Sequence, residues 1–158
     1  SSAASDVYKR QIMYCVFFVV HQQFNMPGFY LFIQDLIIIG FSEEYLYRGV
    51  MYSIMKKENT ALAIVLSSLF RGITHAVYPT VVVGGDLSVF LTDCISNIGF
   101  GLFIGYGFIY VFEESKTLWI PILLHAVYDY SMGYGWIIFV GTVMYLYIVN
   151  KGGHTRQK

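Results

Sequence analysis

The run Gly28–Met55, GFYLFIQDLIIIGFSEEYLYRGVMYSIM, decides the fold class of this chain. It is apolar over most of its length, and a fully helical segment of this size would be roughly 42 Å long. A bilayer core is ~30 Å thick, so such a helix must tilt, break near Gly40 or project beyond the core. A closed β-barrel also satisfies its backbone in lipid, but it needs ~10-residue strands that alternate polar and apolar residues. The apolar stretches here are unbroken, which excludes a barrel.

The rest of the composition agrees. Of 158 residues, 56% are hydrophobic, 18% aromatic and only 13% charged, with a mean hydropathy of +0.58. Soluble domains carry about 25% charged residues, so this chain lacks the charge for a water-facing surface. The same composition excludes disorder, a collagen-like fold and a disulfide-stapled fold. Lys+Arg and Asp+Glu are both 10, which leaves no basic excess for nucleic acid. The expected class is all-α, a polytopic transmembrane bundle of about five to six membrane helices.

Ser1 to Gln11 are small and polar and read as a non-native or fragment edge. Residues 12–150 form a single transmembrane domain, and 151–158 a cytoplasmic tail. Within that domain the helices expected are Ile12 to Val20 (a short remnant), Gly28 to Met55, Ala61 to Tyr78, Leu87 to Phe112, Leu118 to Met132 and Tyr134 to Val149. Asn59, Asp86 and Thr117 sit where N-caps belong. Pro79 to Asp86 and Glu113 to Thr117 read as loops, with Glu113 and Glu114 solvated, and Gly133 as a tight turn. Cys15 and Cys94 lie in apolar runs without metal-like spacing and read as buried thiols. With the Lys56/Lys57 loop inside, Lys116, Lys151, Arg156 and Lys158 also fall inside, while the segments around Gln22, Gly84 and Gly133 carry no cation. That is the positive-inside pattern and puts the C-terminus in the cytoplasm.

Glu43, Glu44, Arg48, Arg71, His75, Asp93, His125 and Asp129 fall inside membrane helices. A charge at the bilayer centre costs about 2.5–3.5 kcal/mol on insertion scales, so these groups must face one another or a wet cavity. Glu44 and Arg48, Arg71 and His75, and His125 and Asp129 are each four apart, so each pair shares one helical face. Measured from the cytoplasmic helix ends at 1.5 Å per residue, Glu43 and Glu44 lie roughly 17–18 Å deep, His75 ~22 Å, His125 ~12 Å and Asp129 ~18 Å. Acid, base and donor groups from three helices thus occupy one slab of membrane.

Glu43-Glu44-Tyr45-Leu46-Tyr47-Arg48 has the form EExxxR, His75 follows on the next helix, and His125 to Asp129 give HxxxD after Leu118-Trp119-Ile120-Pro121. This order resembles the CPBP family, the CAAX-protease and bacteriocin-processing intramembrane endopeptidases also called Abi, over about 41–132. The resemblance implies that Glu43 acts with His75 to activate a water and that His125 with Asp129 forms an oxyanion hole. Glu44 and Arg48 would support the first motif. The family's second motif usually reads FxxxH, whereas Arg71 stands four before His75, with Phe70 one residue off. Its last position is often Asn, and here it is Asp129. An ionised Asp donates no hydrogen bond, so Asp129 must be protonated to serve an oxyanion, or it must orient His125.

Plainer readings exist for each residue. Glu44–Arg48 reads equally as a structural ion pair, and Arg71 as a snorkelling or carboxylate-paired cation. Either His alone reads as a core histidine. Asp93 and Asn97 read as interhelical hydrogen-bonding groups, and Gly99, Gly101, Gly105 and Gly107 as sites of close helix packing. His154 in the tail reads as inert. No cofactor is expected. Glu43, His75, His125 and Asp129 are plausible zinc ligands, but HExxH is absent and Arg48 disfavours a divalent ion. A non-catalytic membrane scaffold, a bacteriocin-immunity protein or a small proton-coupled transporter also uses buried carboxylates and histidines. A transporter usually shows internal repeats with broken helices, which this chain lacks. The leading expectation is an intramembrane endopeptidase of a prokaryotic plasma membrane, its cavity reached from the cytoplasm. Its substrate would be a peptide or protein: a prenylated C-terminus, a leader peptide or a membrane-anchored segment.

Overall fold

Every regular element among the described residues is helical in a computed structural model of the chain, which describes residues 26–131 and 134–155. The expectations for Ser1 to Gln11, Ile12 to Val20, Cys15, Gln22, Met132, Gly133, Arg156 and Lys158 fall outside these residues, as does the side chain of His154. The chain divides into two units, Ser1–Glu44 with Tyr110–Lys158, and Tyr45–Ile109.

The first unit begins with α1 (Met26–Gln34), passes through a π-helical segment at Asp35–Gly40 and returns to α-helical winding in α2 (Phe41–Glu44). It also holds α6 (Trp119–Tyr130), α7 (Gly135–Thr155) and the last turns of α5 (Leu87–Ser115). The centre is α6, whose Ile120, Ile122, Leu124, Ala126 and Val127 are all buried. A helix apolar on nearly every side must be surrounded, which explains why its two polar residues meet protein.

The π segment lies antiparallel along α6. Phe32 stacks edge-on against Tyr130 with ring centroids 5.4 Å apart, and Phe41 meets Trp119 at 6.2 Å. Between these contacts Gly40 presses on the α6 backbone. A Cβ there would stand 2.9 Å from the Asp35 carbonyl oxygen and 3.1 Å from that of Ile122. Only glycine permits this approach. At Gly40, where a break was one of the three outcomes expected, the chain instead stays helical and changes phase through the wider π winding. On the other side, α7 packs on α6 through Tyr128 and Phe139, 6.2 Å between centroids.

The second unit starts with a π-helical segment, Tyr45–Tyr52, followed by α3 (Ser53–Met55), α4 (Thr60–Val83) and α5 as far as Ile109. Asn59 caps α4 by accepting from Leu62 N–H at 2.9 Å, and Asp86 caps α5 by accepting from Val89 N–H at 2.9 Å. Both were expected from sequence. The small residues Gly72 and Gly101 let α4 and α5 touch backbone to backbone. The Tyr47 hydroxyl meets Thr74 Oγ1 at 2.6 Å and ties the π segment to α4.

Against the five or six spans expected, two helices among the described residues are long and apolar enough to cross a bilayer, α4 with 24 residues and α5 with 29. Gly135–Lys151 is a shorter apolar stretch. The outward side chains of α5, among them Ile95, Phe103 and Tyr106, are large, apolar and exposed. Water does not tolerate so broad an apolar face, and lipid does.

Two boundaries differ from the sequence reading. α4 runs through Pro79 into the expected loop and stops only where Gly84 takes φ +85°. A proline lacks the N–H that would bond the His75 carbonyl, yet the winding continues to Val83, and Thr80 Oγ1 donates to the Ala76 carbonyl at 3.0 Å. α5 likewise takes in Glu113 and Glu114 before Lys116 leaves the helix at φ 58°. These glutamates are not a free loop pair: Glu113 meets Lys116 at 3.6 Å, and Glu114 accepts from Asn150 of α7.

Gly40→Ala should lower stability by about 1–3 kcal/mol, because both clashing atoms are backbone. Thermal unfolding in detergent reads this, with Gly99→Ala, which enters open space, as the control. Equal midpoints for Gly40→Ala and the unmodified chain would show that the close approach does not matter.

Candidate active site

Two adjacent glutamates on a short α-helical turn project roughly 100° apart, so they reach one target only if it lies close between them. In α2 that target is His125. Its Nδ1 is 2.7 Å from Glu44 Oε1. Its Nε2 is 3.7 Å from Glu43 Oε2 and 3.3 Å from Asp129 Oδ2, the latter one turn along α6. The imidazole is therefore held on one edge and presented to two carboxylates on the other.

Burial separates the edges. The His125 and Glu44 side chains are 1% and 0% exposed, while those of Glu43 and Asp129 are 23% and 31% exposed. The inner pair is dry, and the outer pair is accessible. A carboxylate only accepts, so the Nδ1–Glu44 bond places a proton on Nδ1 when Glu44 is ionised. The chemistry available to this ring then lies at Nε2, which can hold, donate or receive a proton facing Glu43 and Asp129.

The four residues expected from the first and third motifs thus come together within the first unit. Glu44, expected as a supporting residue, makes the shortest of the contacts to His125. Arg48, Arg71 and His75 belong to the second unit. There Arg48 is fully buried with its guanidinium carbon 5.1 Å above the Phe108 ring. Arg71 is buried on α4, and His75 is exposed four residues further along the same helix. Asn97 does not bridge helices through its amide: Nδ2 donates to the Asp93 carbonyl of its own helix at 2.8 Å. Among the described residues no group of three His, Cys, Asp or Glu side chains is disposed to hold a metal ion.

Sequence reasoning passed over Asp35. It stands at the start of the first π segment, half-buried and within electrostatic reach of Asp129 and His125. The signal was present, since an acid inside the apolar Phe29–Phe41 run is a functional candidate by default. Its spacing hid it: α-helical winding turns a residue eight positions before Glu43 roughly 80° away, and the π segment changes that phase.

Residues 24–131 match the family model described as type II CAAX prenyl endopeptidase Rce1-like. No curated protein and no solved structure matches the chain.

Glu44→Ala should strand the buried Nδ1 of His125 and lower stability by about 1–3 kcal/mol. Asp129→Ala, on the accessible edge, should cost less than about 1 kcal/mol. Denaturation midpoints of the two variants test the asymmetry, and equal losses would contradict the division into a dry and an accessible edge.

Proposed function

The chain belongs to the type II CAAX prenyl endopeptidase Rce1-like family, and from that premise we propose that it is an intramembrane endopeptidase that hydrolyses a peptide bond with water activated by Glu43 and His75. The family is one of membrane proteases, and the two apolar helices fit that setting. The substrate is accordingly a peptide or protein.

One observation carries the reading: His125 Nε2 faces Glu43 Oε2 at 3.7 Å and Asp129 Oδ2 at 3.3 Å while Glu44 grips the opposite edge. Hydrolysis requires a water, a base to take its proton and a donor aimed at the developing oxyanion. Glu43 is the accessible carboxylate next to Nε2 and serves as base. His75 is its partner by the motif order, four residues after Arg71 on α4. The proton of the water passes to Glu43, and the hydroxide oxygen bonds to the scissile carbonyl carbon. The carbonyl oxygen, now negative, accepts from His125 Nε2–H, and Asp129 beside it orients the ring. Collapse of that intermediate breaks the C–N bond, and the proton on Glu43 leaves with the amine. Glu44 fixes the ring so that Nε2 needs no reorientation as charge develops, and a single such donor is worth roughly 10²–10³ in kcat.

The family description points to a prenylated CAAX C-terminus as the first substrate to try. A leader peptide and a membrane-anchored segment are the other classes, with access from the cytoplasmic side. The chain would sit in a prokaryotic plasma membrane with its C-terminus in the cytoplasm.

Purified protein in vesicles should cleave one of these peptides. Glu43→Gln and His75→Ala should each lower kcat by about 10²–10⁴ with an unchanged unfolding midpoint. Activity should persist after treatment with a chelator. Full cleavage by Glu43→Gln would defeat the assignment of the base and favour a non-catalytic scaffold, and loss in chelator would favour a metal-dependent protease.

A further inference from the structure

His75 takes its place from the turn of α4 backbone that carries it, and that turn is held unevenly. On its C-terminal side Pro79 has no N–H to give the His75 carbonyl, so the helical ladder loses one bond there. On its N-terminal side the His75 N–H closes on the Arg71 carbonyl in α-helical winding. The same carbonyl takes a second donor, since Thr74 Oγ1 donates to it at 2.9 Å.

That bond decides the direction of the next one. A threonine hydroxyl carries a single hydrogen. Thr74 gives it to the Arg71 carbonyl, so at the 2.6 Å contact with Tyr47 the tyrosine donates and Thr74 accepts. The bonds therefore run one way, from Tyr47 O–H through Thr74 O–H to the carbonyl that also receives the His75 N–H. All four residues belong to the second unit. Tyr47 is buried at 4% exposure, and a buried tyrosine hydroxyl needs a partner, whereas Thr74 and His75 are exposed on α4. By itself the Thr74–Arg71 bond ties the turn only to itself. The Tyr47 bond ties it to a buried ring on another element.

We propose that Tyr47 is a positioning residue for His75, whose hydroxyl fixes the His75 turn of α4 through Thr74 and the Arg71 carbonyl. Tyr47 acts through the backbone and not on the peptide. The kinetic consequence rests on the peptidase reading, in which His75 is the partner of Glu43. The ordering of the turn does not, because the bonds exist without substrate.

The test uses the full chain in vesicles, as Tyr47→Phe, Thr74→Val, the double variant and Thr74→Ser, with Tyr47→Phe also made on His75→Ala. It reads kcat and KM on the cleaved peptide and, without substrate, the NMR signals of imidazoles labelled at Cε1. The His75 and His125 signals are those that disappear in His75→Ala and His125→Ala. Tyr47→Phe should lower kcat roughly 10-fold with KM unchanged, short of the ~10²-fold that a 1 Å misplacement can cost. Thr74→Val should do the same, and the double variant should fall less than about twofold below either, as a shared contact requires. Thr74→Ser keeps the hydroxyl and should keep most of the rate. On the residual activity of His75→Ala, Tyr47→Phe should change kcat by less than about twofold. The His75 signal should shift or broaden in Tyr47→Phe and in Thr74→Val, and the His125 signal, from the first unit, should stay in place. Losses that multiply in the double variant, an equal loss on His75→Ala, a His75 signal unmoved by both changes or movement of both signals would overturn the proposal. If no form of the protein cleaves any peptide, the peptidase reading fails, and the imidazole signals still decide whether Tyr47 holds the His75 turn.

Discussion

The hydrogen bond on which the first unit depends joins two side chains that have both left solvent, Glu44 and His125, at 2.7 Å. Neither group is stable alone in that position, since a buried charge or an unsatisfied imidazole nitrogen is penalised severely. Each is tolerated because of the other. The bond therefore pins α2 to α6 at one level and fixes which edge of the imidazole faces outward. Glu43, as the sequence neighbour of Glu44, is then carried to the other edge of the ring, where its Oε2 lies 3.7 Å from Nε2.

That bond requires two backbones to come close, and the chain meets the requirement with geometry before chemistry. Gly40 removes the side chain that would separate the first π segment from Ile122 and Ala126. The π winding on either side of α2 rephases a helix that regular geometry would have directed elsewhere. Phe32 with Tyr130 and Phe41 with Trp119 then fill the space above and below the glycine contact. Aromatic packing at both ends resists sliding, so apolar contacts and the Glu44–His125 bond together set the level of Glu43 and Glu44 along α6.

Much of this was legible in the amino-acid order because it depends on local spacing. The His125–Asp129 pair is an i, i+4 relation on a regular helix, and the caps at Asn59 and Asp86 depend on one residue each. The membrane class followed from a charge content too low for a water-facing surface, and the helical class from unbroken apolar runs. Which of the two adjacent glutamates meets His125, 81 residues after Glu44, was not legible in the spacing, and the roles of Glu43 and Glu44 came from the family resemblance alone. Asp35 was missed because the winding between it and Glu43 is not α-helical. The extension of α4 past Pro79 was missed because the proline was read as the start of a loop, whereas one absent N–H does not end the winding before Gly84.

The separation of a dry edge from an accessible one bears on how hydrolysis can occur inside a membrane. A site open enough for water to enter screens the charges that must stabilise an oxyanion, while a site dry enough to make them effective excludes the nucleophile. Placing both functions on one imidazole relaxes this conflict. Nδ1 is anchored where the surroundings are fully buried, so the ring's orientation does not depend on solvent. Nε2 looks toward Glu43 and Asp129, the two side chains with access to the outside. Water then has to reach only the outer carboxylates, and rigidity comes from the inner one.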